Sequence, residues 1–234
     1  MAIRFKNVTG CVSLLLLLFM ATTAFNCERE KEPEFIIMTF TLPFSIAPSS
    51  AQFVLGDTLW VQADFPEALQ EYSSKVDYAV KDFDFKSKIG LLKFIDKNIT
   101  MGEQPSAVDS FDFITKVGDL PFVGETFSPF NFLYQNETYK FKLGLVPKQR
   151  GVYCVNFLPP RELDLRLGIK LEKSPDGRER IPAFEYLLFN INNGATNFDL
   201  FQQHCKATSL TFPGNQDFTN INYEQKGTFT FEVK

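Results

Sequence analysis

Histidine is nearly absent from this chain: His204 is the one imidazole in 234 residues. Nucleophilic catalysis that passes its proton to histidine has that single candidate, and no Gly-x-Ser-x-Gly or Ser-x-x-Lys pattern accompanies it. No Gly-x-Gly-x-x-Gly or P-loop pattern occurs either, so nucleotide chemistry has no support. Tryptophan is equally scarce, Trp60 being the only one. The longest apolar run, even counted from Val12 to Phe25, is shorter than the ~20 residues that a membrane-crossing helix needs. Basic residues are outnumbered, 24 against 28 acids. Nucleic acid and anionic lipid select basic patches, so neither is an expected partner.

What is present first is a leader. Arg4 and Lys6 give a positive start, Val12 to Met20 is nearly all Leu, Val, Phe and Met, and Ala21-Thr22-Thr23-Ala24 is a small-residue exit. These are the three parts of a secretory signal. Cleavage after Ala24 would free the chain; cleavage before Cys27 would leave a cysteine first. Residues 27–34 then run Cys-Glu-Arg-Glu-Lys-Glu-Pro-Glu, too charged to bury and expected to stay extended as a tether. If residues 1–26 leave, Arg4 and Lys6 go with them and the excess of acids rises from four to six.

The run into Cys27, with Ala24 three residues before it and Glu28, Glu30, Glu32 and Glu34 behind it, resembles a bacterial lipoprotein signal, and specifically those of Bacteroidota surface lipoproteins. Asn26 departs from the usual Gly, Ala or Ser. The resemblance implies a lipid on the Cys27 sulfur and display at the outer membrane, facing outward. Two or more acyl chains would make the anchor stable, where one gives marginal binding.

Cys11 lies in the leader, which leaves Cys154 and Cys205 in a compartment where disulfides persist. Bridged, they close a loop of about 50 residues, worth roughly 4 kcal/mol in the chain-entropy view. The other reading is two reduced, buried thiols. A metal site from the pair would need further ligands at suitable spacing, and none is expected. No cofactor is called for.

Residues 35–234 read as one β-rich domain. Phenylalanine is heavily used, 27 in all, and aromatic residues favour strands and bury large areas. Period-two alternation is clearest in Leu163 to Glu172, where apolar and charged or Gly residues exchange at every step. It runs into the turn Ser174-Pro175-Asp176-Gly177, and a second strand over 180–190 completes a long hairpin. A second hairpin is predicted from Tyr139 to Leu145, the turn 147–151, and Val152 to Phe157. Further strands are expected at 34–44, 53–65, 76–85, 89–96, 109–117 and 227–234.

One short helix is predicted near 197–206. Asn197 would cap it and Asp199 would meet its dipole, with Phe198, Phe201 and Cys205 on one face. That face would bring Cys205 toward the Cys154 strand.

Gly56-Asp57-Thr58-Leu59-Trp60-Val61, then Gly151-Val152-Tyr153-Cys154, then a terminal Phe229-x-Phe231-x-Val233 strand look like an early strand, the strand after the E–F corner, and the last strand of an immunoglobulin-like sandwich. The fold expected is thus an all-β, antiparallel immunoglobulin-like β-sandwich with that one helix. Antibody domains carry Tyr-x-Cys, whereas Tyr153 and Cys154 are adjacent and must face opposite ways, so the usual inter-sheet bridge is not expected.

Chemistry is thinly marked. Asp82 with Asp84, and Asp109 with Asp112, are carboxylate pairs of the kind glycosidases use, though with so many acids close pairs arise as solvated faces. Asn190 to Gly194 is oxygen-rich but reads as a turn. Trp60 lies within a strand pattern, where burial is the default; Tyr72, Tyr78, Tyr134, Tyr186 and Tyr223 form no visible cluster. Asp57-Thr58-Leu59 resembles the short acceptor of O-linked glycans in exported Bacteroidota proteins. The expectation is a non-catalytic surface module that binds an unknown protein or glycan partner or joins an envelope assembly. The second reading is a glycan-handling accessory of a surface uptake system, and the third an enzyme using carboxylates.

Overall fold

The computed structural model describes residues 31–121, 123–158, 169–208 and 220–234. The expected leader, Cys27 and the 163–168 part of the first predicted hairpin lie outside them. Two compact units divide the chain: one contains Phe35–Leu171 and Ile181–Lys234, the other the residues up to Glu34 with Glu172–Arg180.

The larger unit is all-β. Its strands are β1 (Glu34–Ala47), β2 (Gln52–Phe53), β3 (Leu59–Pro66), β4 (Ala68–Gln70), β5 (Asp77–Ala79), β6 (Lys88–Phe94), β7 (Phe111–Val117), β8 (Phe127–Pro129), β9 (Leu133–Gln135), β10 (Thr138–Pro147), β11 (Gly151–Leu158), β12 (Arg180–Ile191) and β13 (Thr228–Val233). The first sheet runs β12-β1-β3-β10-β7, with β9 also on β10; the second runs β2-β13-β11-β6-β8; β4 and β5 form a small ribbon. The pairs β1–β3, β3–β10, β10–β7, β10–β9, β11–β13, β11–β6, β6–β8 and β4–β5 are antiparallel, and β13 lies parallel to β2.

The two larger sheets share one core. Alternation puts Leu59, Val61, Ala63 and Phe65 of β3, and Tyr139, Phe141, Leu143 and Leu145 of β10, on the same buried face. Tyr153, Val155 and Phe157 of β11, with Phe229, Phe231 and Val233 of β13, meet them from the other sheet. Phenylalanine is the commonest residue in this core: the rings of Phe44 and Phe157 lie 4.1 Å apart and those of Phe130 and Phe141 4.6 Å apart. Burying such rings stabilises by roughly 1.5–3 kcal/mol each.

The predicted second hairpin is not one. β10 pairs with β3 and β7 while β11 pairs with β13 and β6, so the 147–151 turn carries the chain from one sheet to the other. Alternation fixes which face of a strand is dry, not which neighbour it takes. The strand expected at 53–65 splits where Gly56 takes φ +86° and the Asp57 carboxylate accepts from the Val54 N–H at 2.9 Å. Of the stretch 76–85 only β5 is a strand.

The helix α1 (Phe198–His204) forms as predicted with Asn197 at its N-cap position, but the Asn197 side chain makes no capping hydrogen bond. Its backbone is left-handed, and its side-chain Nδ2 donates to the Thr230 carbonyl at 2.9 Å instead. That bond ties α1 to the outer face of β13. There Phe201 meets Phe94 edge-on at 5.6 Å, within a small second cluster of Leu92, Phe94, Cys154, Phe201 and Cys205.

In the smaller unit the Ser174 turn closes as expected. Gly177 takes φ +85°, and the Ser174 N–H donates to the Arg178 carbonyl at 2.9 Å. Arg180 Nε and Glu34 Oε2 are 3.0 Å apart.

Candidate functional site

The described residues of the larger unit form several concave regions. One lies across the outer, wet face of the first sheet, a groove of about 500 Å³. Strand register builds it: Ser45 of β1, Gln62 of β3, Lys142 of β10 and Val117 of β7 stand side by side. The next row places Asp64 opposite Lys140, both exposed. Asn192 and Asn193 close one end.

Trp60 sits beside this groove, half-buried on the same outer face rather than in the core. Its cross-strand partner is Gly144, and a Cβ there would fall 2.9 Å from Trp60 Cζ3. The missing side chain lets the ring lie down on β10. Lys142 Nζ, whose chain lines the groove, stands 5.0 Å from the ring centroid, within cation–π range. Trp60 is thus a braced surface ring. The turn-borne Asp57 and the half-buried Thr58 lie just before it, Thr58 also touching the Gly144 position.

A second groove of about 230 Å³ is lined by Asp82, Asp84 and a wall of aromatic rings including Phe132 and Tyr139. The two aspartates belong to a loop, not to a strand face; Asp84 Oδ1 accepts from the Lys86 N–H at 2.9 Å. The Tyr139 hydroxyl donates to the Val80 carbonyl at 2.6 Å and accepts from the Phe83 N–H at 2.7 Å. Burial pushes its ionisation up to about 12, so it is a structural clamp on the loop. Tyr134 donates to the Glu67 carboxylate.

A third cleft, about 330 Å³, lies beneath α1 and a π-helical turn over Asn220–Gln225. Cys205 and Glu224 both line it. The structure carries Cys154 and Cys205 as free, buried thiols, so the expected bridge is not formed. The helix does press both into one cluster, as the spacing of Phe198, Phe201 and Cys205 implied. Burial raises both thiols, Cys205 up to about 12, and holds them protonated.

The other sequence candidates are dispersed. His204 is half-buried in the last turn of α1. Asp109 lies in a 3₁₀ turn, whereas Asp112 is on β7 and pairs with Lys148 at 2.9 Å. Lys75 Nζ covers the Tyr72 ring at 4.6 Å, and Tyr78 packs on Phe40. Among the described residues no group of three His, Cys, Asp or Glu side chains is placed to hold a metal ion, and no helix is long and apolar enough to cross a membrane.

Sequence reasoning missed two acids. Glu71 is buried and accepts from the N–H groups of Ser74, Ser73 and Thr39. Its desolvation raises the carboxyl, and those backbone donors outweigh that and hold it below its ordinary value. Glu224 is buried with one backbone partner, Thr208, and burial raises it. No local pattern marks either residue; only the fold removes them from water.

No family model matches this chain, and no curated protein compared with it is similar. Among solved structures it has a slight likeness to the CupB6 tip adhesin from Pseudomonas aeruginosa, at 15% identity and a TM-score of 0.19. The match covers 69% of this chain and spans 42% of the adhesin chain.

Proposed function

We propose that this chain is a lipoprotein anchored at the outer membrane through Cys27, whose immunoglobulin-like sandwich is a non-catalytic binding or envelope-assembly module facing outward. Its address comes from the leader and the acidic tether. The observation that carries the binding role is the groove on the outer face of the first sheet, where Gln62, Asp64, Lys140 and Lys142 stand in register beside a braced Trp60.

Strand order supports the immunoglobulin-like reading. Counting β1, β3, β6, β7, β10, β11 and β13 as A to G makes the sheets A-B-E-D and G-F-C, the constant-type arrangement. β12 is then an added strand beside A, and β2 and β8 flank G and C. The Tyr153 hydroxyl donates back to the Gln149 and Arg150 carbonyls, at 3.0 and 3.2 Å, as a tyrosine corner does.

Mass spectrometry of the chain isolated from membranes tests the anchor. Acylated Cys27 as the first residue is expected; an unmodified chain beginning at Phe25 would remove it. Crosslinking in intact cells from a photoreactive residue at position 62 tests the face: a specific adduct is expected, and none forming there while one forms at the opposite sheet would move the site elsewhere.

The second reading is a glycan-handling accessory, favoured by the outward Trp60 ring among hydrogen-bonding side chains. A glycan array read with wild type, Trp60→Ala and Asp64→Ala separates it from the first. Binding lost in both variants, with their folds intact by circular dichroism, supports it; no binding by wild type refutes it.

A further inference from the structure

The wet face of β1 changes character along its length. Ile36 packs on the core and Met38 is buried, so Phe35 and Ile37 point the other way, 54% and 53% exposed. Further along that face stand Thr39, Thr41, Pro43 and Ser45, none of them a large aliphatic or aromatic group. The first end of the strand is thus apolar where the rest is not. Single exposed apolar side chains are ordinary, whereas a contiguous patch marks a contact surface.

The turn between β4 and β5 adds to this end. The Tyr72 N–H donates to the Thr39 carbonyl at 2.8 Å, and the Thr39 N–H donates to the Glu71 carboxylate at 3.3 Å. Across the turn, the Glu71 N–H meets the Val76 carbonyl at 2.8 Å. The exposed Tyr72 and Val76 are thereby tied to the first half of β1. Lys75 Nζ stands 4.6 Å from the Tyr72 ring centroid. Tyrosine and lysine both have an apolar body and a polar tip, which suits them to the headgroup level of a bilayer.

The chain before this patch says what covers it. Cys27 lies eight residues ahead of Phe35, a reach of at most roughly 29 Å. This step rests on the proposed acyl anchor at Cys27. Held by it, Phe35 and Ile37 never leave the neighbourhood of the bilayer, so a modest apolar area is enough to seat them. A soluble partner has no such advantage.

We infer that Phe35, Ile37, Tyr72 and Val76 form a membrane-docking patch, seated at the headgroup level of the bilayer that carries the anchor. Ser45, at the groove, lies ten residues further along β1, about 33 Å of strand at the usual rise. The same seat therefore holds the groove clear of the lipid. The contact is apolar burial, with no covalent step.

The test places a nitroxide at Ile37→Cys, Val76→Cys or, as control, Gln62→Cys. Cys154 and Cys205 are buried, so the label goes to the introduced thiol. The acylated chain is reconstituted in vesicles of phosphatidylethanolamine and phosphatidylcholine, and each label is read for collision with oxygen and with a water-soluble nickel complex. Positions 37 and 76 should lose nickel access and gain oxygen access, while position 62 keeps its nickel access. Adding Phe35→Glu and Ile37→Glu to the label at 76 should restore nickel access there with the chain still on the vesicles. Equal nickel access at 37, 76 and 62 overturns the inference. Low access to both probes at 37 and 76 also overturns it, because that marks cover by protein, and a dependence on the protein-to-lipid ratio would assign the cover to a second copy. An unacylated Cys27 removes the anchor and this inference together, whereas an acylated chain open to nickel at 37 and 76 removes the inference alone.

Discussion

The hydroxyl of Tyr153 reaches back four residues to the Gln149 carbonyl, 3.0 Å away, across the turn that takes the chain from one sheet to the other. The ring is fully buried, edge-on to Phe111 at 5.0 Å, so one side chain fills the core and also fastens the crossing. Tyr153→Phe keeps the ring and strips the clamp. A loss of about 1–2 kcal/mol is expected, read as a lower midpoint in urea with an unchanged slope.

Gly118 predicts a larger effect. Its φ is +78°, and a Cβ would fall 2.5 Å from the Asn131 carbonyl oxygen. That oxygen already accepts the Asp119 N–H at 2.9 Å, so it has no freedom to retreat. Gly118→Ala should cost about 3 kcal/mol, combining backbone strain with overpacking. Thermal unfolding by calorimetry would measure it.

Glu71 and Glu224 pull stability in opposite directions with pH. Glu71 is held below its ordinary value, so the folded state releases its proton more readily than the unfolded one. Its contribution is present above the unfolded value and lost as pH falls through the folded one. Glu224 is raised: the folded state keeps its proton longer, and stability falls as pH climbs from the ordinary carboxylate range toward the folded value. Glu224→Gln should therefore gain stability over wild type at pH 8 and gain little at pH 4. Glu71→Gln should lose stability at pH 8 and lose less at pH 4. Denaturant midpoints at the two pH values check both signs.

The thiols give a chemical readout. Cys154 is 0% and Cys205 4% exposed, and burial keeps both protonated. In reduced protein at pH 8, neither should react with a thiol reagent within the time that an exposed cysteine needs. Both should react at once in denaturant. A fast native reaction at Cys205 alone would show that α1 opens locally.

Much of this architecture is written in residue alternation. The inward sets of β10, β11 and β13 follow from period two, because successive side chains on a strand point to opposite faces. The helix over 198–204 follows from Phe198, Phe201 and Cys205, and the Ser174 turn from its Pro and Gly. Alternation could not say that β10 and β11 belong to different sheets, since both strands of a hairpin and both strands of an arch have one dry face. Alternation turns Trp60 away from Leu59 and Val61, but it could not show that the ring has room to lie down there, which depends on a glycine 84 positions further along the chain, directly opposite it in the β3–β10 register.

By itself, then, the sequence determined the strand faces, the helix, the turns and the expectation of a lipid-bearing leader, because each depends on neighbours within a dozen residues. Tertiary structure decided which strands pair, that Cys154 and Cys205 share a cluster as thiols, and that Glu71 gathers several backbone donors while Glu224 has one among the described residues. Those outcomes depend on groups far apart in the chain that meet only when the sheets close and water leaves, and no local pattern encodes the loss of water.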